Sequence, residues 1–176
     1  TSATAPTLSL AADTGSSGSD RYTSNTTINV GGLETNATWE YSTNGGGAWI
    51  AGTGTSFTVA AGSYTLGQVQ VRQTDQAGNL SPANTSFAAF TVDTSATAPT
   101  LSLAADTGSS GSDRYTSNTT INVGGLETNA TWEYSTNSGG AWTAGTGTSF
   151  TVAAGSYILG QVQVRQTDQA GNLSPA

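Results

Sequence analysis

The feature that most constrains this chain is an internal repeat. Residues 94–176 align without a gap on residues 1–83, an offset of 94 − 1 = 93 residues. The two copies differ only at Gly45/Ser138, Ile50/Thr143 and Thr65/Ile158. The seam is the stretch Thr91-Val92-Asp93-Thr94-Ser95-Ala96-Thr97-Ala98-Pro99-Thr100, where the sequence of the N-terminus restarts. Copies this faithful fold alike, so the chain is expected to hold two modules of one fold, 1–93 and 94–176. About 90 residues is an ordinary size for a small β domain.

Each copy reads as short strands separated by turns. Thr7–Ala12 alternates, with Leu8, Leu10 and Ala12 on one face, and a polar glycine-rich loop follows with Asp13 and Asp20 at its ends. Thr26–Val30 is a second strand and Thr38–Ser42 a third, with Trp39 and Tyr41 sharing a face. A turn at Asn44-Gly45-Gly46-Gly47 returns the chain through Ala48–Ile50. Ser56–Val59, Gln68–Thr74 with its valines inward, and Phe87–Val92 complete seven strands. No segment has helical periodicity. The pattern predicts an all-β chain of two tandem immunoglobulin-like Greek-key β-sandwiches arranged end to end. The second copy stops at Ala176, before any counterpart of residues 84–93.

Composition narrows the chemistry. There is no Cys, Met or His, so disulfides and thiolate or imidazole metal sites are excluded. Eleven acidic residues against four arginines give a net charge of −7, which argues against nucleic acid and against anionic membrane surfaces. No apolar run approaches the roughly 20 residues of a membrane helix, and no signal peptide is visible. The chain therefore reads as an internal segment of something longer, expected to act as a monomer. Outward strand positions are Thr, Ser, Asn and Gln, wet but nearly featureless. Trp39 reads as the core tryptophan, and Tyr64 as a candidate tyrosine corner. The Asn-x-Ser/Thr triplets at Asn25, Asn36, Asn79 and Asn84 are what chance supplies in such a composition. With no His, Cys or Lys, and with Glu34 and Glu40 fitting no hydrolase spacing, no catalytic constellation is expected.

The carboxylates suggest a different role. Strands that alternate in direction place the Asp13–Asp20 loop at the pole where the last strand ends, beside Asp93, and place Glu34 and Asp75 at the other pole. In a tandem array the seam would collect Asp13, Asp20 and Asp93 with Glu127 and Asp168. Five carboxylates repel unless a cation lies among them, and oxygen donors alone select Ca²⁺. Carboxylates that only shape turns are the competing reading. The linker Thr94–Pro99 has no glycine, but Thr94 to Thr97 are expected to rotate freely, leaving ion coordination to set the angle between modules.

The segment 6–20, the run Trp39 to Trp49 and Val71 to Asn79 resemble the bacterial Ig-like repeats of giant RTX and biofilm-associated surface adhesins. The resemblance covers essentially all of both copies. It implies an extracellular adhesin on the bacterial surface, exported by type I secretion, whose repeats contact their neighbours in the same chain and extend a binding tip. It also implies calcium at domain junctions, with Asp13, Asp20, Asp75, Asp93 and the copies Asp106, Asp113 and Asp168 at the motif positions; Glu34 and Glu127 rest on the orientation argument alone. Two functions follow: a structural spacer, or a carbohydrate-binding module using Trp49 or Tyr64.

Overall fold

The computed structural model describes residues 2–176, and every regular element among them is a β-strand. The chain divides into two compact units, Thr1–Thr94 and Ser95–Ala176, one residue beyond the repeat seam. No helix among the described residues is long and apolar enough to cross a membrane.

The first unit carries β1 (Thr7–Leu10), β2 (Tyr22–Thr23), β3 (Thr27–Gly31), β4 (Thr38–Ser42), β5 (Ile50–Ala51), β6 (Ser56–Thr58), β7 (Gly62–Tyr64), β8 (Gln70–Thr74) and β9 (Phe90–Val92). They form three small sheets, ordered β1-β3-β6, β5-β4-β8 and β2-β9-β7. The first two are antiparallel throughout. In the third, β9 pairs parallel to β2 and antiparallel to β7. Several small sheets around one apolar core are consistent with the β-sandwich class. Alternation along the strands supplies that core: Ile28 and Val30 from β3, Trp39 from β4, Phe57 from β6, Val69 and Val71 at β8, and Phe87, Phe90 and Val92 at β9. Two of these strands, β2 and β7, were not expected from the sequence. They are two and three residues long, too short for a period-2 signal, and exist because β9 lies between them.

The second unit carries β10 (Thr100–Leu103), β11 (Thr120–Gly124), β12 (Thr131–Ser135), β13 (Thr143–Ala144), β14 (Ser149–Thr151) and β15 (Gln163–Thr167). Its sheets, β10-β11-β14 and β13-β12-β15, repeat the first two of unit one. The third sheet has no counterpart among the described residues, because its middle strand is the segment that residues 94–176 do not repeat. The core shrinks accordingly to Ile121, Val123, Trp132, Phe150 and Val164, with Val152 and Val162 only partly covered.

Trp39 and Trp132 organise the two units in the same way. Each is buried, and each donates its indole N–H to a backbone carbonyl, Gly54 O or Gly147 O, at 3.0 Å. The indole also contacts Gly52 or Gly145 so closely that a Cβ there would fall inside the ring's van der Waals envelope. Of the three differing positions, only Gly45/Ser138 carries a backbone demand: Gly45 has φ 70° and Ser138 keeps φ 60°, a left-handed conformation that L-residues adopt at a cost.

Gly145→Ala is expected to lower the stability of the second unit by about 2 kcal/mol or more, since overpacking a filled core forces rotamer and backbone shifts. Gly111→Ala, at a glycine facing open space, is the control and should change it by less than about 0.5 kcal/mol. Urea unfolding followed by tryptophan fluorescence distinguishes the two.

Candidate metal centre

Three loops carry most of the carboxylates of each unit; Glu40 and Glu133 stand on strands, and Asp93 follows β9. In the loop from Asp13 to Asp20, Asp13 Oδ2 accepts the N–H of Arg21 at 2.9 Å and Asp20 Oδ1 accepts that of Tyr22 at 3.1 Å. The copies Asp106 and Asp113 hold Arg114 and Tyr115 in the same way. These side chains fold the loop's own backbone, which carries Arg21 and Arg114 at φ 61° and 63°. The second oxygen of Asp13, and of Asp106, is buried and has no hydrogen-bond partner. The expectation that this loop shares a pole with Asp93 agrees with the first unit. Asp93 N–H donates to Thr23 O, and the Thr23 hydroxyl donates to Ala12 O, next to Asp13.

The loop after β8 is an Asp-x-x-Gly-Asn turn. Asp75 O accepts the Gly78 N–H, with Gly78 at φ 86°, and the Asp75 side chain takes two bonds from Asn79, from its N–H to Oδ1 and from its amide to Oδ2. The Asn79 side-chain bond first, and its backbone bond second, hold the Asp75 carboxyl below its ordinary range. A carboxyl depressed by folding contributes above its unfolded pKa. The contact is therefore intact at neutral pH and is lost as pH falls through the depressed value. Asp168 makes the same pair of bonds with Asn172, at 2.8 and 2.7 Å.

The third loop follows β3 or β11 and is held by a buried glutamine. Along β8 the inward row is Val69, Val71, Gln73, so an amide occupies a core position, fully buried. Gln73 Oε1 accepts the Glu34 N–H at 2.8 Å, and Nε2 donates to Thr4 O at 2.8 Å and Gly32 O at 3.2 Å. Gln166 repeats all three with Glu127 N, Thr97 O and Gly125 O, at 2.8, 2.7 and 3.2 Å. Thr97 N–H then donates to Glu127 Oε1 at 2.6 Å. Thr97 is thus fixed at both its N–H and its carbonyl, and the expectation that Thr94 to Thr97 rotate freely fails at Thr97. The cause is Gln166, polar like the outward amides but fully buried. The period-2 row Val162-Val164-Gln166 was the signal for it.

The consequence in the second unit is a carboxylate pair. Glu127 and Asp168 come from different loops, yet their oxygens lie within 4.8 Å of one another. Two carboxylates that close can both ligate a metal ion. Each Asp168 oxygen keeps a lone pair beyond its bond to Asn172. The set is oxygen alone, which fits a hard divalent cation such as Ca²⁺ rather than a transition metal. Among the described residues, Asp13, Asp20, Asp75, Asp106 and Asp113 enter no group of three acidic residues near enough to share an ion. Their seen role is to close loops.

The residues considered for a sugar site are already engaged. Arg72 lies 4.0 Å over the Trp49 ring while bonding Glu40 through Nε and Nη2 at 3.0 and 2.8 Å, and Arg165, Trp142 and Glu133 repeat this. Tyr64 stacks on Phe90 and donates its hydroxyl to Ala60 O at 3.0 Å, the backbone bond of a tyrosine corner. No protein-family model matches the chain, and no curated protein does.

Gln166→Leu removes the partners of Glu127 N–H, Thr97 O and Gly125 O while keeping the volume. Stranded buried peptide groups make this costly, about 2–4 kcal/mol from the second unit by chemical denaturation. A loss under about 0.5 kcal/mol would mean that water replaces the amide.

Proposed function

We propose that the chain is a spacer segment of a large bacterial cell-surface adhesin: two tandem immunoglobulin-like Greek-key sandwiches, stiffened by Ca²⁺ at their seam. The observation that carries this reading is the Glu127–Asp168 pair beside a fixed Thr97. Asp93 is the third ligand. Its backbone is tied to Thr23 in the first unit, and only Thr94, Ser95 and Ala96 separate it from Thr97. Glu34, Asp75 and Thr4 form the same arrangement of loops in the first unit, with Thr4 N–H donating to Glu34 at 2.9 Å, so each repeat offers the following half of a seam site.

Other features agree with a spacer. The copies differ at three positions, none of them among these ligands. Outward strand faces are uncharged apart from the Glu–Arg pairs, which suits length and hydration better than recognition. The carbohydrate-binding alternative has less support, because Trp49 gives one face to Arg72 and Tyr64 spends its ring and hydroxyl within the fold. Nothing in this reading calls for catalysis.

A site that works outside a cell needs only weak affinity, a dissociation constant on the order of 10⁻⁴–10⁻³ M. At a hundredfold excess of ion, binding adds about 2.7 kcal/mol to the state that holds it. Chelation with EDTA is therefore expected to lower the melting temperature and to shorten the maximum dimension in small-angle scattering. Asp93→Ala should reproduce the change in shape without unfolding either unit. If chelation alters neither, the aspartates only close loops and the calcium-stiffened spacer is wrong.

A further inference from the structure

Hydrogen-bond register decides which way the peptide groups of a terminal strand point. In the first unit β6 ends its sheet, and β3 is its only strand partner among the described residues. Val30 N–H donates to Thr55 O at 2.8 Å, and Val59 N–H to Thr26 O at 2.9 Å. With Ile28 opposite Phe57, these bonds make Thr27–Thr58 and Asn29–Ser56 the non-hydrogen-bonded pairs of the ladder. The N–H and C=O of Ser56 and Thr58 therefore point away from β3. Val123 N–H to Thr148 O and Val152 N–H to Thr119 O repeat the pattern, which leaves Ser149 and Thr151 outward on β14.

A free edge invites pairing, and proteins guard theirs with Lys, Pro, inward charge, bulges or a covering segment. Thr55-Ser56-Phe57-Thr58-Val59 has none of these. It holds no charge and no proline, its register with β3 is unbroken, and Ser56 and Thr58 are exposed. Other sheet ends differ: Val71 and Thr74 of β8 are bridged to Asn84 and Leu80, and β1 directly follows Pro6. Beside β6 lies a cleft of about 350 Å³, walled by Thr27, Tyr41, Ala51 and Thr53. Tyr41 stacks there on Phe57 with ring centroids 4.0 Å apart, as Tyr134 does on Phe150. In a chain of net charge −7, neither this edge nor its cleft carries a carboxylate.

We propose that β6 and β14 are self-association edges, each pairing antiparallel with the same edge of a second copy of this chain. The occupant follows from self-complementarity. A twofold axis at Phe57 sets Ser56 opposite Thr58 of the second copy, and both offer an outward N–H and C=O. The two such pairs make four backbone hydrogen bonds, and the sheet β1-β3-β6 continues into its copy. Acidic chains repel one another, but this joint brings no carboxylates together. One joint buries little apolar surface and is weak, so strength comes from number, since each unit carries the edge. The pairing needs neither the Glu127–Asp168 pair nor calcium, and it departs from the monomer expected of the sequence.

The test is sedimentation equilibrium of the 176-residue protein in EDTA, up to about 1 mM, the range of weak contacts. Reversible association is expected, with slowed hydrogen exchange at the N–H groups of Ser56, Thr58, Ser149 and Thr151. Ser56→Lys with Thr58→Lys should weaken it at least about fourfold, because two edges per chain allow 2 × 2 = 4 pairings and one edge allows one. Adding Ser149→Lys and Thr151→Lys should abolish it, although the net charge moves to −7 + 4 = −3, which by itself eases non-specific association. All four positions are exposed, so the fold tolerates the changes. The corresponding fourfold glutamate chain should also be monomeric, and mixing it with the lysine chain should restore association through opposite charges across the joint. A monomer at every concentration, association that survives the four lysines, no pairing of the lysine and glutamate chains, or fibrils in place of a reversible complex would each overturn the proposal.

Discussion

A single buried amide ties each unit together at its acidic end. Gln73 and Gln166 stand in a row of valines, where an unpaired amide would be costly, and each satisfies itself on three backbone groups from two other segments. Without cysteine the chain has no covalent staple, and this amide does the work of a crosslink between the leading segment, the β3–β4 or β11–β12 loop and the inner strand. Because hydrogen bonds are directional, it also fixes where the glutamate of that loop stands. Gln166 holds the loop from which Glu127 reaches Asp168, and it binds the Thr97 carbonyl.

The acidic residues then divide by what their oxygens are bound to. Asp13, Asp20 and their copies accept backbone N–H groups of the turn they close, as short acidic side chains in loops do. Asp75 and Asp168 do this too, through an asparagine four residues on. Glu127 differs, since its loop is positioned by another element's side chain and its carboxylate is presented to Asp168 rather than folded onto its own turn. The arrangement favours Glu127 with Asp168, whose oxygens converge, over Asp13, Asp20 and their copies.

Strands with at least four residues and clear alternation were legible in the sequence: Leu8 and Leu10, Ile28 and Val30, Trp39 and Tyr41, Val69 and Val71 all stand where period two puts them. The pairing of Glu127 with Asp168 was legible from strand direction alone. The short strands β2 and β7 were not, because two or three residues carry no period and their pairing depends on Phe90–Val92, distant in sequence. Polarity alone points Gln73 outward, whereas its register with Val69 and Val71 places it inside. The fixing of Thr97 was hidden for the same reason. The pole of Asp13 and Asp20 follows from strand direction, but the backbone donors that occupy them do not.

The central claim is that Glu127 and Asp168 are metal ligands. A crystal grown in calcium, with anomalous differences collected at long wavelength, tests it most directly. The account predicts one peak within about 2.3–2.6 Å of carboxylate oxygens from both residues. A calcium-soaked crystal with no peak there, or with its only peak at the buried oxygen of Asp13 or Asp106, would contradict it.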